Sequence, residues 1–353
     1  MTQEASTSKP WIVMVGGFLG AGKTTLLLAA ARMLEARGIR SALILNDQGE
    51  ALVDSTFAGL HHLKSGEVTG GCFCCKFSDL IRVMDQLRAH APDVIFAEPV
   101  GSCTDIYATT LLPLREFADQ FRLAPFTVLV DPARAMELTG NDADPHLRFL
   151  FQKQIEEADI VCFTKGDLRL DPPPMQAPAV RQLSAKTGQG VSAWLDEVLS
   201  GTLSPAANVL TIDYAEYARA EAALAWLNLE VAIALADPQS SAILIGPLLE
   251  RLDHDFTRAD IAIVHLKAII QSSQGYLKAA TCANSQQPSI EGDLAASPAL
   301  HHQLLLNLRA VGSAETVKAI VEMNIRQISG AHTGLKIACF HPTAPNPERR
   351  VTQ

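Results

Sequence analysis

The stretch Trp11-Ile12-Val13-Met14-Val15-Gly16-Gly17-Phe18-Leu19-Gly20-Ala21-Gly22-Lys23-Thr24-Thr25 decides the fold. Residues 11–15 are an apolar run that ends at Gly16-Gly17, the pattern of a short buried strand. Residues 17–24 satisfy G-x-x-x-x-G-K-[ST]. Residues 24–37 are apolar at helical spacing, and Gly38 supplies a stop. A glycine loop between a strand and a helix is a phosphate cradle. The N–H groups of Gly20, Ala21, Gly22, Lys23, Thr24 and Thr25 can turn inward around phosphate oxygens, and the helix N-terminus adds partial positive charge. Lys23 is placed to reach the β- and γ-phosphates, and Thr24 to bind Mg²⁺.

Outward from this loop the pattern repeats. Residues 41–45 read as a second buried strand, ending in Asn46-Asp47-Gln48-Gly49-Glu50. Residues 60–75 read as irregular and residues 78–90 as a helix. Strands follow at 94–97, 126–130 (closed by Asp131-Pro132), 160–163 and 180–183, with helices at 147–157 and 191–199. Short strands alternating with helices predict an α/β fold over residues 11–203, a P-loop NTPase with a mostly parallel sheet covered by helices. Ligands then bind at the carboxyl ends of the strands.

A break rich in small residues and Pro falls at 200–208. Beyond it, residues 209–214, 261–270, 276–282 and 304–311 read as strands, and 243–252 and 314–323 as helices. Gln271-Ser272-Ser273-Gln274-Gly275 is a hairpin turn signal. This half, residues 209–340, is expected to be a smaller α+β domain with an antiparallel sheet. The N-terminus, 1–10, and the Pro-rich tail, 341–353, are expected to be loose.

Thr164-Lys165-Gly166-Asp167 follows a core strand and fits [NT]-K-x-D. A carboxylate such as Asp167 only accepts hydrogen bonds. Guanine offers it two donors on one edge, the N1 hydrogen and the exocyclic amine. Adenine offers an acceptor there, which would leave the carboxylate unpaired at a cost of roughly 1–3 kcal/mol. Lys165 can pack its stem along the base, and Ser184-Ala185-Lys186 matches a second guanine-contacting loop. Thr164 stands where Asn is commoner, keeping a hydroxyl but losing the amide's second bonding group. Glu98 ends an apolar strand where an acid near Mg²⁺ is expected, and can hold a magnesium-bound water. The Gly101 N–H is placed to sense a γ-phosphate. Asp47 and Glu50 are both candidates to hold Mg²⁺ or orient water. The candidate catalytic set is therefore Lys23, Thr24, Glu98 and Asp47. No residue declares itself as a water-positioning glutamine.

Cys72-Phe73-Cys74-Cys75 follows Gly70-Gly71. Three thiolates so close suit Zn²⁺ or another soft metal ion, and three ligands leave a coordination position open. Cys103 reads as a core thiol, with a fourth ligand as the alternative, and Cys162 and Cys282 read as structural. His61-His62 reads as a solvated loop, with metal ligation as the alternative. An odd count of seven cysteines and a polar first ten residues point to a reducing compartment, so cytoplasmic localisation is expected. Lys+Arg 29 against Asp+Glu 38 gives a net charge of −9, which argues against nucleic-acid binding and against docking on anionic membranes.

The ordered set of P-loop, Asn46-Asp47-x-Gly49-Glu50, Gly71-Cys72-Phe73-Cys74-Cys75, Glu98-x-x-Gly101 and T-K-x-D resembles the CobW-type GTPases, relatives of the HypB and UreG nickel-insertion proteins. The resemblance implies a slow GTPase that delivers a metal or a metal-containing cofactor to a client enzyme. It implies Mg-GTP at Gly22, Lys23, Thr24 and Asp167, and the transition metal at Cys72, Cys74 and Cys75. It also allows a homodimer. Residues 209–340 lack the usual CobW C-terminal pattern, and no His-rich tract is present. The cysteines lie between two loops that nucleotide would order, around 47–54 and 98–105, so metal binding should depend on nucleotide state. Two alternatives remain at this point. One is a P-loop small-molecule kinase with incidental cysteines, although no Arg-rich lid lies between the P-loop and Thr164. The other is a nucleotide-dependent zinc sensor or activator with negligible turnover.

Overall fold

The structure, a computed structural model, describes residues 9–48, 53–60, 63–168, 170–203, 205 and 208–352. The expectations for Gly49, Glu50, His61 and His62 lie outside the described residues. The chain divides into two units. The first is Met1–Gln48, Ala58–Tyr217 and Pro345–Gln353, and the second is Gly49–Phe57 and Ala218–Ala344.

The strands of the first unit are β1 (Trp11–Gly17), β2 (Ser41–Asn46), β3 (Lys64–Val68), β4 (Val94–Glu98), β5 (Arg122–Leu123), β6 (Thr127–Val130), β7 (Ile160–Phe163) and β8 (Val180–Gln182). Among the described residues they form one sheet in the order β3-β2-β4-β1-β6-β7-β8, with β5 on β1, and every pairing is parallel. β4, β6 and β7 are buried along their whole length, as strands covered on both faces must be. The helix Lys23–Ala36 buries Leu26, Leu27, Ala30, Ala31 and Leu34, one face at helical spacing. The helix Phe77–Arg88 does the same with Phe77, Leu80, Val83, Met84 and Leu87.

The order puts β1 between β4 and β6. The loops after β1, β2, β3, β4, β6 and β7 all leave from carboxyl ends of parallel strands, so every motif singled out above opens onto one end of the sheet.

The second unit carries β9 (Leu224–Gln239), β10 (Ala262–Ser272), β11 (Gly275–Thr281), β12 (Ser289–Gly292), β13 (Ala299–Val311) and β14 (Ala331–Phe340). They form an antiparallel sheet in the order β12-β11-β10-β13-β9-β14. The helices Ser241–Arg258 and Ala314–Arg326 pack Leu248, Leu252, Phe256, Val317, Val321 and Ile325 into its core. The hairpin turn is where the sequence placed it, with Ser272 opposite Gly275.

Four expectations are corrected. Residues 64–68, read as irregular, are β3. The strand is polar, Lys-Ser-Gly-Glu-Val, because it is the sheet's edge, and only Val68 is buried. Residues 209–213, read as part of a strand over 209–214, take no regular structure and lead into the helix Tyr214–Ala222. The first unit runs on to Tyr217 rather than ending at 203, and Tyr217 Oη accepts from Thr104 N at 3.1 Å. The tail, expected to be loose, is fixed on the first unit. Val351 N donates to Ala108 O at 2.8 Å, and Arg350 Nε pairs with the buried Asp105 at 2.8 Å. Prolines 345 and 347 limit the extended chain's freedom beforehand, so little entropy is lost on docking.

Candidate functional site

The phosphate loop is shaped by glycine geometry. Gly17 has φ +132°, and a Cβ there would stand 2.5 Å from the Leu129 carbonyl of β6. Gly22, at φ 91°, precedes the helix Lys23–Ala36, and no side chain caps that helix. By contrast the helices Pro132–Thr139 and Pro145–Glu156 are capped by Asp131 and Asp144. The first N–H groups of that helix, which no N-cap side chain takes up, are the donors a phosphate would use. Lys23 is buried and folds back so that Nζ donates to Gly17 O at 2.8 Å. Thr25 is exposed.

Thr24 Oγ1 donates to Glu98 Oε1 at 3.1 Å, and both residues are buried. A hydroxyl and a carboxylate side by side at a phosphate loop form an all-oxygen donor set, which fits Mg²⁺. Gly101 packs so closely that a Cβ would meet Leu19 Cδ2 at 2.8 Å and Lys23 Nζ at 3.1 Å. Gln154 Nε2 holds this loop from below, donating to Gly101 O at 3.0 Å and Cys103 O at 2.9 Å. Asp47 is half-buried at the end of β2, and its N–H donates to Val68 O at 3.2 Å.

The loop Thr164–Asp167, expected to read the base, is tied to the loop after β1 by the residue that departs from the common motif. Thr164 Oγ1 donates to Ala21 O at 2.9 Å, so its hydroxyl makes the link that matters for loop placement. Lys165 adopts φ 56° and pairs with Asp131 Oδ2 at 2.6 Å. Asp131 therefore does two jobs, because its Oδ1 also caps the helix Pro132–Thr139 through Ala133 N. Ser184 Oγ donates to Asp167 Oδ1 at 2.7 Å and orients the carboxylate. Ala185 is half-buried and Lys186 exposed beside it.

The three sulfurs of Cys72, Cys74 and Cys75 lie within 4.8 Å of one another. Cys72 to Cys74 is 2.6 Å, Cys72 to Cys75 3.3 Å and Cys74 to Cys75 3.6 Å. A tetrahedral ion with bonds of ~2.3 Å holds its sulfurs ~3.8 Å apart, so the triangle must open to take one, most along the Cys72–Cys74 edge. Hydrogen bonds from the thiols of Cys103, Cys74 and Cys75 hold Cys72 well below the usual cysteine range. Cys74 is pushed up, first by its bond to Cys72, and Cys75 is pushed up to about 11 for the same first reason. One sulfur is thus favoured as a thiolate, stabilised by its neighbours' S–H groups.

Two supports of the cysteine loop were not assigned from sequence. Asn46, the last residue of β2, donates Nδ2 to Val68 O at 2.9 Å and to Gly71 O at 2.7 Å. Its Oδ1 accepts from Phe73 N at 2.9 Å. The second support is the tail. Asn346 N donates to Cys75 Sγ at 3.2 Å, and Glu348 N donates to Cys74 O at 2.9 Å. Glu348 Oε2 accepts from Ser78 N at 2.9 Å and Ser78 Oγ at 2.6 Å, capping the first turn of Phe77–Arg88. Asn46 carried a signal, a polar residue ending a buried strand. The tail carried none, because its partners lie some 270 residues away in the chain.

Fold and site together define a P-loop nucleotide-binding domain with a thiolate cluster at the phosphate end of its sheet. Residues 11–184 match the family described as CobW/HypB/UreG, nucleotide-binding domain. It is 29% identical over 167 residues to the zinc chaperone YjiA of Escherichia coli (strain K12), covering 44% of this chain and 49% of that protein. It is 27% identical over 194 residues to the zinc chaperone CobW of Sinorhizobium sp, covering 47% and 54%. A zinc chaperone CobW of Pseudomonas aeruginosa is 30% identical over 190 residues, covering 44% and 48%. The chain thus matches about half the length of these relatives.

Proposed function

We propose that this chain is a GTP-hydrolysing metallochaperone, working in the cytoplasm, that carries Zn²⁺ on Cys72, Cys74 and Cys75 and passes it to a client metalloprotein. The observation that carries the reading is the sulfur triangle, with all three atoms within 4.8 Å, in a loop hung from the end of β2 by Asn46. The curated relatives named zinc chaperones support it.

In this reading the P-loop amides and Lys23 bind the phosphates, Thr24 and Glu98 hold Mg²⁺, and Thr164, Lys165, Asp167 and Ser184 seat guanine. Mg²⁺ supplies charge neutralisation at the phosphates. Lys23 must leave Gly17 O to meet a γ-phosphate, and Gly101 lies against its Nζ. Phosphate binding and the 101–103 loop are therefore mechanically joined. Hydrolysis relaxes that loop and with it the thiolate site, which lets the metal leave.

Zinc affinity of the reduced protein, measured with a non-hydrolysable GTP analogue and with GDP, tests the coupling. The affinity is expected to differ by roughly tenfold, about 1.4 kcal/mol of coupling. Equal affinities would remove the gating and leave a metal-binding GTPase. Product analysis that found a phosphorylated small molecule rather than free phosphate would favour a kinase instead.

A further inference from the structure

We propose that Gln154 is a positioning residue for the γ-phosphate. It sets the loop after β4, and through that loop the preference for GTP over GDP and the rate of hydrolysis. The inference rests on the GTPase reading above. Its own observation is a row of buried side chains on the helix Pro145–Glu156 and its C-terminal cap, Glu157.

Phe151, Gln154 and Glu157 follow one another at i, i+3 spacing, so they share one face of the helix. They are 2%, 3% and 0% exposed. Phe151 meets Phe18 of the phosphate loop edge to face, with ring centroids 6.2 Å apart. Gln154 Nε2 donates to Gly101 O at 3.0 Å and to Cys103 O at 2.9 Å. Glu157 accepts from Thr104 Oγ1 at 3.3 Å and from Tyr107 N at 3.1 Å. A helix face that only packs a core is apolar. This one aims two polar side chains at the segment after β4, while its aromatic ring holds the loop after β1. A single helix thus braces both loops that a triphosphate would touch.

Gln154 is the member that acts on the Gly101 N–H, the γ-phosphate sensor of that reading. Peptide planarity ties this N–H to the Val100 carbonyl, because the two share one plane and point opposite ways. Val100 O accepts from Cys103 N at 3.0 Å, which closes a turn around Gly101 and Ser102. The carbonyls of Gly101 and Cys103 are both held by Gln154. The direction of the Gly101 N–H is therefore set through a closed turn with Gln154 at its base. The P-loop lysine lies against the same turn, since a Cβ on Gly101 would stand 3.1 Å from Lys23 Nζ. Only the donor half of the Gln154 amide is in use: among the described residues, Oε1 is buried without a partner. Removing the donor frees the turn to swing against Lys23. GDP has no γ-phosphate and does not depend on how that turn is aimed.

The test compares the wild-type full chain with Gln154→Glu and Gln154→Leu. The glutamate keeps the shape and turns an oxygen toward carbonyls that need a donor, and the leucine removes the donor outright. Each protein is measured for GDP affinity, for affinity toward a non-hydrolysable GTP analogue, and for kcat and KM of phosphate release from GTP. Both variants should bind GDP within about twofold of wild type, bind the analogue roughly 10-fold more weakly, and lose roughly 10–100-fold in kcat. GDP and analogue affinities that fall by the same factor would overturn the proposal and leave Gln154 a structural brace. Wild-type values throughout would overturn it as well. A wild type that releases no phosphate from GTP would instead overturn the GTPase reading, and this inference with it. Should neither variant bind GDP, amide hydrogen exchange of wild-type residues 100–107 decides. Slower exchange with the analogue than with GDP supports the proposal, and equal rates refute it.

Discussion

Asn46 offers the sharpest check on how the cysteine loop is held. Its amide makes three hydrogen bonds, two donated to Val68 O and Gly71 O and one accepted from Phe73 N. Only one amide orientation satisfies all three, since both carbonyls need a donor and the N–H needs an acceptor. Val68 O keeps a second donor, Asp47 N at 3.2 Å, when Asn46 is removed. Gly71 O and the Phe73 N–H lose the partner seen here, and Phe73 is fully buried. Two orphaned groups at ~1–1.5 kcal/mol each put the local cost of Asn46→Ala near ~2–3 kcal/mol. That cost falls on the conformation that gathers the sulfurs, so zinc affinity should drop by roughly 30–150-fold. Asn46→Asp is the more searching variant. It has the same shape and keeps the acceptor for Phe73 N, but it turns an oxygen toward two carbonyls. It should therefore bind zinc more weakly than the alanine variant, despite being the smaller change in volume. Competition titration against a chromophoric zinc chelator, with GDP affinity as the folding control, measures both. Wild-type zinc affinity in Asn46→Ala, or Asp binding better than Ala, would refute the claim that this amide positions the loop.

Other expectations follow from the same geometry. Asp167→Asn removes the acceptor for guanine's two donors and should weaken GTP by roughly 5–150-fold while improving xanthosine triphosphate, read by nucleotide competition. Asn346 lies between Pro345 and Pro347, neither of which has an N–H, so Asn346→Pro deletes the donor to Cys75 and little else. Zinc dissociation should then quicken by about 3–10-fold with thermal stability unchanged, and an unaltered rate would show that the tail does not restrain the cluster. Burial pushes the Glu157 carboxyl well above the usual carboxylate range, although Tyr107 N at 3.1 Å bonds to it. A raised folded-state value means that stability is fullest below the unfolded value of ~4.3 and is lost as pH rises toward the folded one, by up to ~1.4 kcal/mol per pH unit. Glu157→Gln should accordingly gain melting temperature over wild type at pH 7 and lose that advantage at pH 4.

What could be read from the sequence, and what could not, divides along the range of the interactions. The phosphate loop was legible because one short segment contains its strand, its glycines and its helix. The base-reading loop was legible as well, but its threonine was read as a weakened asparagine. The structure gives Thr164 a different task, since its hydroxyl holds Ala21 O across 143 residues of chain. β3 was missed because an edge strand needs only one apolar residue, and periodicity has nothing to detect in Lys-Ser-Gly-Glu-Val. β9 and β14 were missed for a related reason. The helix-compatible Leu and Ala of β9 take strand geometry because β13 on one side and β14 on the other offer a full register of partners.

The tail makes the same point for function. Pro345-Asn346-Pro347-Glu348 has a composition that reads as loose. Prolines at alternate positions nevertheless leave isolated N–H groups on a stiff extended chain, and such a chain binds well wherever acceptors match its spacing. Here the acceptors are Cys75 Sγ and Cys74 O, two atoms of the cysteine loop. The cysteine loop is thus held by Asn46, at Gly71 O and Phe73 N, and by the tail, at Cys74 O and Cys75 Sγ. In the proposed carrier, a metal held there would leave as one of these two supports lets go, so Asn46 and Asn346 would set how fast it is released. Changes at either support should then alter metal affinity in both nucleotide states alike.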